Sequence, residues 1–299
     1  MTDTILLAGA TGDLGGRIAK ALVREGAPLR VLVRPDTPRE RTAPLEILGA
    51  DVRAVDFADA AGLRGACEGA TCVVSALSGL RPVILDAQTA LAEAAVAAGV
   101  PRFVPSDFSI DFTRLGGLRN RNFDLRRAFR ERLARLPIRA TSVFNGAFMD
   151  MLTGQMPLVA PAIRRVVYWG DPDVPYDMTT MDDTAGFTAK VALDADTPRD
   201  LHIAGDSPSA RDLAAAMRAV TGKRYGLLRA GSLGRLETLI GLTRRLAPQE
   251  GEVFPAWQGM QYLRDMASGR AVVGPVDNGR YPGMRWTKAD EVLKGAFGR

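Results

Sequence analysis

The chain has 299 residues, of which 46% are hydrophobic and 24% charged, and a formal net charge of +5. This composition is typical of a globular protein and excludes a disordered or fibrous one. No basic segment precedes the first apolar run and no stretch of about 18 apolar residues occurs, so we predict no signal peptide, no membrane span and a cytoplasmic location. Two cysteines and one histidine provide neither a disulfide framework nor a metal site.

The first predicted elements are a short apolar strand, TILLA, a glycine-rich turn and a helix. The turn has the spacing G-x-x-G-x-x-G, which lets the backbone approach a pyrophosphate, and the N-terminal N–H groups of the helix then face the phosphate. The strand before and the helix after the glycines are the context that this motif requires. We therefore predict a dinucleotide site whose residues here are Gly9, Thr11, Gly12, Asp13, Leu14 and Gly15.

The second predicted strand, RVLVR, ends at Arg34. An acidic residue at this place usually binds the ribose hydroxyl groups of NAD, whereas an arginine suits the 2′-phosphate of NADP. Arg39 and Arg41, in the loop that follows, either add positive charge to the site or belong to a solvated loop. The sequence thus predicts NADP(H) as the cofactor.

Three further strands alternate with helices up to residue 106. This alternation predicts an α/β fold with a doubly wound parallel sheet, a Rossmann fold, in which ligands bind at the carboxyl ends of the strands. We predict an NADP-binding domain over residues 1–150 and a smaller substrate-binding lobe over 151–299, with some later segments returning to the sheet. The strand ends assigned to the cofactor are Asp56, Phe57, Ser75, Ala76, Leu77, Pro105 and Ser106.

The segments GATGDLGG, LVR and PSDF, followed by an arginine-rich helix that leads to ATSVFNGAF, resemble the NmrA-like and isoflavone-reductase-like atypical short-chain dehydrogenases over roughly residues 4 to 150. The resemblance implies a reductase that binds NADP(H), and it places Phe144 and Asn145 near the nicotinamide. Isoflavone-reductase-like enzymes carry a catalytic lysine early in the helix after the fifth strand. The position that matches this lysine is Arg126.

The proton donor is the main departure from that family. Classical short-chain dehydrogenases use a Y-x-x-x-K pair, but no tyrosine of this chain has a lysine four positions on. Arg126 can orient a substrate or a ribose, yet it does not release a proton near neutral pH. The proton then comes from water, from Asp107 or from Ser106, or it is unnecessary, as with a quinone. We predict Arg126, Ser106 and Asp107 as catalytic residues, with Arg126 also contacting the cofactor.

The remaining features bear on possible partners. Arginines of residues 117–132 spread around the predicted helix, and Phe129 lies on its apolar face, which argues against a nucleic-acid surface. The segment VFPAWQGMQYLRDM has aromatic and methionine residues at helical spacing, which form either core or an apolar pocket for a flat substrate. His202 lies in a short predicted strand, where a structural role is favoured over a catalytic one.

Two functions follow from these features. The leading hypothesis is a reductase that passes a hydride from NADPH to a small aromatic, enone or quinone-like acceptor, planar and apolar, with no nucleic-acid or membrane partner. The alternative is a redox sensor that binds NADP(H) without turnover and acts through a protein partner, as NmrA-like regulators do. The missing tyrosine and lysine favour the sensor, whereas a pocket in the C-terminal lobe favours the enzyme.

Overall fold

The computed structural model describes residues 4–154, 156 and 158–298. The chain forms two compact units, each assembled from separate stretches of sequence. The first unit comprises residues up to Phe108, Asn122–Val143 and Thr184–Leu201, and the second comprises Ser109–Arg121, Phe144–Asp183 and the residues from His202 onward. The division at residue 150 stays a prediction, because compact units do not by themselves establish independent domains.

Six strands of the first unit form a parallel sheet. In chain order they are β1 (Thr4–Ala8), β2 (Leu29–Val33), β3 (Asp51–Ala54), β4 (Ala70–Ser75), β5 (Arg102–Val104) and β6 (Arg139–Ala140). Their spatial order is β3-β2-β1-β4-β5-β6, so the direction of winding reverses between β1 and β4, where a doubly wound sheet binds its ligand. The predicted α/β fold with a Rossmann sheet is confirmed.

The helices of this unit pack apolar side chains against the sheet. They are α1 (Asp13–Arg24), α2 (Arg39–Ile47), α3 (Ala60–Cys67), α4 (Gln88–Ala97), which follows a π-helical turn at Pro82–Ala87, and most of α5 (Arg121–Leu133) and of α6 (Met181–Leu193). In α5, Phe129 and Leu133 are buried in the core, and the Phe129 ring lies 6.2 Å from that of Phe103 in β5. Burial of this apolar face fixes which side of α5 faces outward.

The predicted sixth strand changes its pairing at Thr141. Before this residue β6 pairs with β5, whereas after it β7 (Ser142–Phe144) pairs with a later strand, Asp200–His202. The Thr141 amide donates to the Phe103 carbonyl at 3.0 Å, and its hydroxyl donates to the Pro198 carbonyl at 2.8 Å. Thr141 is therefore the last link to the parallel sheet.

The second unit consists of short strands and helices. Its remaining strands are β8 (Ala147–Phe148), β9 (Val159–Ala160), β10 (Arg165–Trp169), β11 (Met178–Thr179) and β13 (Gly226–Gly231), the strand Asp200–His202 being β12. Its later helices are α7 (Ala210–Thr221), α8 (Leu233–Leu246), α9 (Ala256–Ala267) and α10 (Ala289–Phe297). Strands β13, β10 and β9 form one small sheet in that order, and β11 pairs with β8.

The aromatic stripe of α9 belongs largely to the core of this unit. Trp257 is fully buried, with the guanidinium groups of Arg121 and Arg244 each 4.6 Å from the centre of its ring, and Met266 is also buried. These two residues therefore stabilise the unit and do not line an open pocket. In the described part of the chain, no helix is long and apolar enough to span a membrane.

Candidate functional site

The glycine turn between β1 and α1 is shaped by two close backbone approaches. Gly9 has φ = +90°, and a Cβ atom there would lie 2.6 Å from the Ala76 carbonyl oxygen. A Cβ atom on Gly15 would lie only 2.1 Å from the Gly9 carbonyl oxygen. Because no side chain fits at either position, glycine is required for β1, the turn and α1 to pack this closely.

The N-terminus of α1 is open to an anion. Gly12 precedes the helix, and no side chain among the described residues caps its first N–H groups. Asp13, in the first turn, has its carboxylate 2.8 Å from Arg17 Nε, which offsets the negative charge that an approaching phosphate would meet. The turn thus has the exposed donors and the helix dipole that favour a pyrophosphate.

Two arginines that follow β2 in the chain supply positive charge. Arg34 directly follows β2 and is exposed, with its Nε 3.4 Å from Asp36. Arg41, in the first turn of α2, donates from its guanidinium to the Thr11 carbonyl at 2.8 Å. From the sequence, Arg41 is either a site residue or part of a solvated loop. In the structure it contacts the glycine turn.

The next predicted residues lie at or just after the carboxyl ends of β3 and β4. Asp56 is exposed and accepts a hydrogen bond from the Ala58 amide, while Phe57 is half-buried against the core of the first unit. Ser75, at the end of β4, is fully buried, and its hydroxyl has no hydrogen-bond partner in the described residues. A buried hydroxyl without a partner is unusual and fits a position that meets a polar ligand.

Ser106 is the point at which several predicted residues meet. Its hydroxyl donates to the Leu77 carbonyl at 2.7 Å, and its carbonyl accepts from Arg126 Nε at 3.0 Å. Its amide donates to Gln88 Oε1 at 2.9 Å. The structure therefore brings together Leu77, Ser106 and Arg126, which lie on three separate segments, and it adds Gln88, for which the sequence carried no signal beyond helical spacing.

Asp107 lies in a buried polar network next to these residues. The Ser142 hydroxyl donates to its carboxylate at 2.7 Å, and the Arg199 guanidinium donates to the Ser142 oxygen at 2.6 Å. Burial raises the pKa of Asp107, and the Ser142 hydrogen bond and the nearby positive charges, including Arg126 and Arg130, lower it only in part. A carboxyl group with a raised pKa retains its proton more readily than an exposed one.

The other arginines of α5 have structural partners. Arg130 forms a two-pronged ion pair with Asp200, at 2.7 and 2.8 Å, and Arg127 bonds to Asp124 at 2.6 Å. Arg126 differs because it reaches the strand end at Ser106. Arg127 and Arg130 therefore stabilise the first unit, and Arg126 is the arginine of α5 that contacts the candidate site.

The predicted residues Phe144, the last of β7, and Asn145, which follows it, lie in the second unit. Phe144 is buried and stacks on the imidazole of His202, with 5.2 Å between the ring centres. Asn145 is fully buried, and neither polar atom of its side chain has a hydrogen-bond partner within the described residues. His202 in turn lies 3.0 Å from a carboxylate oxygen of Asp111. This histidine–aspartate pair was missed because 91 residues separate the two partners.

Most of the sequence matches a known protein family. A sequence model of the NmrA-like family matches residues 1–230. The chain belongs to the NmrA-like family. It is similar to pinoresinol reductase 1 of Arabidopsis thaliana, with 33% identity over 207 residues that cover 64% of this chain and 65% of that protein. The match thus spans slightly less than two thirds of the relative's length.

Solved structures share the fold over nearly the whole chain. The structure of AtPrR2 with NADP+ and (+)-pinoresinol aligns with a TM-score of 0.82 and 24% identity, covering 99% of both chains. An isoflavone reductase aligns with a TM-score of 0.83 and 23% identity, again over 99% of both chains. These alignments confirm the resemblance to isoflavone-reductase-like proteins at the level of the fold.

Proposed function

We propose that the protein is a reductase that uses NADPH. The observation that carries this proposal is the glycine turn, where the backbones of Gly9, Gly15 and Ala76 pack too closely for any side chain, next to the uncapped N-terminus of α1. Arg34 and Arg41 favour a cofactor with a 2′-phosphate. When bound, NADPH supplies a hydride to an acceptor. The similarity to a pinoresinol reductase supports a reaction of this class.

The acceptor in this proposal is a small planar molecule with an enone, aryl ketone or quinone group. Arg126, fixed to the Ser106 carbonyl through Nε, keeps other guanidinium N–H groups for a ribose hydroxyl or an acceptor oxygen, where they stabilise developing negative charge. Burial raises the pKa of Asp107 in the same network, which favours a carboxyl group that retains its proton. The predicted location is the cytoplasm, without a nucleic-acid or membrane partner.

The non-catalytic sensor is the weaker alternative. It was supported by the missing tyrosine–lysine pair, but the similarity to a named reductase favours turnover. The absent pair is thus better explained by a different proton source than by loss of catalysis.

A direct test follows NADPH oxidation by purified protein with a panel of enones, aryl ketones and quinones. We expect turnover with at least one acceptor class, and a fall in kcat of about 100-fold in Arg126→Ala, the usual cost of removing one donor to developing charge. Arg127→Ala, its neighbour on α5, is the matched control and should retain activity. Tight NADPH binding without any turnover would instead support the sensor, and failure to bind NADPH would reject both functions.

A further inference from the structure

The second unit contains an open cavity with a volume of about 580 Å³. Its walls come from the segment before β10, from the end of α7 with the loop that follows, and from the end of α10. All of these segments belong to the second unit. Small-molecule sites in proteins have volumes of about 300–1,000 Å³, so this cavity has room for a ligand of that size.

Strand pairing brings two of the walls together. Strands β10 and β13 run parallel, with Arg165 opposite Gly226, and the Gly226 amide donates to the Arg164 carbonyl at 3.1 Å. The residues that precede the two strands are Arg164 and Tyr225, and both line the cavity. Because they leave neighbouring backbone positions, their side chains reach the same space from two segments about 60 residues apart in the chain.

Helix packing supplies the remaining walls. Helix α7 ends at Gly222, which has φ = +67° and whose amide donates to the Arg218 carbonyl at 2.9 Å. This left-handed turn leads the chain out of the helix, and the next residue, Lys223, lines the cavity. Helix α10 packs against α7, and its last residue, Phe297, lines the cavity with a half-buried ring.

The lining carries positive charge that is not neutralised. Arg164 and Lys223 are exposed, and neither side chain has an ion pair or a hydrogen bond within the described residues. Other exposed arginines of this unit are paired, as Arg211 is with Asp173 at 2.8 Å. No acidic residue is among those that line the cavity. A negatively charged ligand would therefore meet two cations and no repelling carboxylate.

The apolar part of the lining suits a flat ring. Tyr225 and Phe297 are both half-buried, so part of each ring is fixed in the wall while part stays accessible. Aromatic side chains bury a large area against another ring at favourable stacked or edge-to-face geometry. The guanidinium of Arg164 can bind both oxygens of a carboxylate at once.

We propose that this cavity binds a small planar aromatic anion, of the aryl carboxylate class. Arg164 and Lys223 bind its charged group, and Tyr225 and Phe297 pack against its ring. This site is additional to the proposed reductase function and does not depend on it, because the cavity has no wall from the first unit and needs no cofactor to be filled.

The test is an NMR titration of the full chain, without cofactor, in which alanine methyl groups carry ¹³C. Ala162 is exposed and lines the cavity, and Ala162→Ser identifies its resonance. We expect 2-naphthoate to shift this resonance to saturation. The neutral 2-naphthalenemethanol and the saturated decahydro-2-naphthoate should each bind at least about 5-fold more weakly, because the first lacks the charge and the second lacks the aromatic ring.

Substitutions assign the charge to particular residues. Arg164→Gln and Lys223→Gln should each raise the dissociation constant of 2-naphthoate about 5-fold, the upper range for an exposed ion pair, and the double variant should raise it roughly 25-fold, since independent contacts add. Arg229→Gln is the matched control, because Arg229 is an exposed arginine of β13 that does not line the cavity. It should leave the dissociation constant unchanged.

The remaining outcomes overturn the proposal. An Ala162 resonance that does not respond to 2-naphthoate rejects the site, and so does a dissociation constant that the double variant leaves unchanged or that Arg229→Gln raises equally. Equal affinity for the neutral alcohol or for the saturated acid rejects the ligand class. None of these measurements involves NADPH, so failure here leaves the reductase intact, and absence of NADPH turnover leaves this site intact.

Discussion

At the scale of single residues, Arg34 is the side chain through which the choice between NADPH and NADH can be tested. Its exposed guanidinium has one weak ion pair, with Asp36 at 3.4 Å, so little must be broken before it binds a phosphate. Arg34→Ala should weaken NADPH binding by roughly 10- to 100-fold, equivalent to losing a charge-assisted hydrogen bond of about 1.5–3 kcal/mol, and leave NADH binding unchanged. Fluorescence titration of the two cofactors measures the dissociation constants.

Arg53→Ala is the control for Arg34, because Arg53 is also exposed but binds Asp51 at 2.8 Å on the neighbouring strand β3. It should leave both dissociation constants near those of the unchanged protein. Equal weakening of NADPH and NADH by Arg34→Ala would remove the assignment of this residue to the 2′-phosphate.

The candidate residues that the sequence predicts are those whose positions depend on neighbouring elements of the chain. The glycine turn was predicted from its spacing together with the strand before it and the helix after it, and Arg34 from its place at the end of the second strand. The family resemblance singled out Arg126, but it did not predict the contact with the Ser106 carbonyl. The pairing of His202 with Asp111 was not predicted, because partners 91 residues apart leave no periodic signal in the sequence. In addition, a lone histidine in a strand is more often structural.

At the scale of elements, the packing of α1 against β1 depends on Gly15. Gly15→Ala would place a methyl group 2.1 Å from the Gly9 carbonyl oxygen, which forces the helix away from the turn. We expect a loss of about 1–3 kcal/mol in the free energy of unfolding, as for other overpacking substitutions, together with loss of NADPH binding. Chemical denaturation and cofactor titration measure the two effects.

Gly16→Ala is the matched substitution one position further along α1. The added methyl group would lie 3.4 Å from the Ala10 carbonyl oxygen, an ordinary contact, and alanine is the better helix former by about 1 kcal/mol. This variant should therefore be as stable as the unchanged protein or more so, and should bind NADPH. If both variants behaved alike, the close approach at Gly15 would not be what shapes the turn.

Strand pairings between segments far apart in the chain could not be predicted from the sequence pattern. The alternation of strands and helices predicted the parallel sheet because each strand leads to the next through a helix. The apolar run of the sixth strand did not reveal the change of partner at Thr141, since β12 follows about 60 residues later and its pairing is non-local. Arg102 is similar: its buried guanidinium donates to carbonyls at the end of α6, a contact that joins positions 102 and 192.

At the scale of the whole molecule, the reaction rates of two buried thiols measure how often the first unit opens. Cys67 and Cys72 are both free and fully buried. Burial raises the pKa of Cys67 to about 11 and that of Cys72 to about 12. Because the thiolate is the reactive form, neither cysteine should react with a disulfide reagent at neutral pH until the core around it opens. Their reaction rate therefore measures how often the unit unfolds.

Cofactor binding should slow this reaction, because a ligand that binds only the folded unit lowers the population of the open one. At NADP+ concentrations near 100 times its dissociation constant, both thiols should react about 100-fold more slowly, corresponding to about 2.7 kcal/mol of stabilisation. Release of the chromophore from a disulfide reagent measures the rate, with Cys72→Ala separating the two positions and NAD+ at the same concentration as the control ligand. Equal protection by NAD+ and NADP+, or rapid reaction indifferent to both, would contradict a unit that is closed and stabilised by a 2′-phosphate.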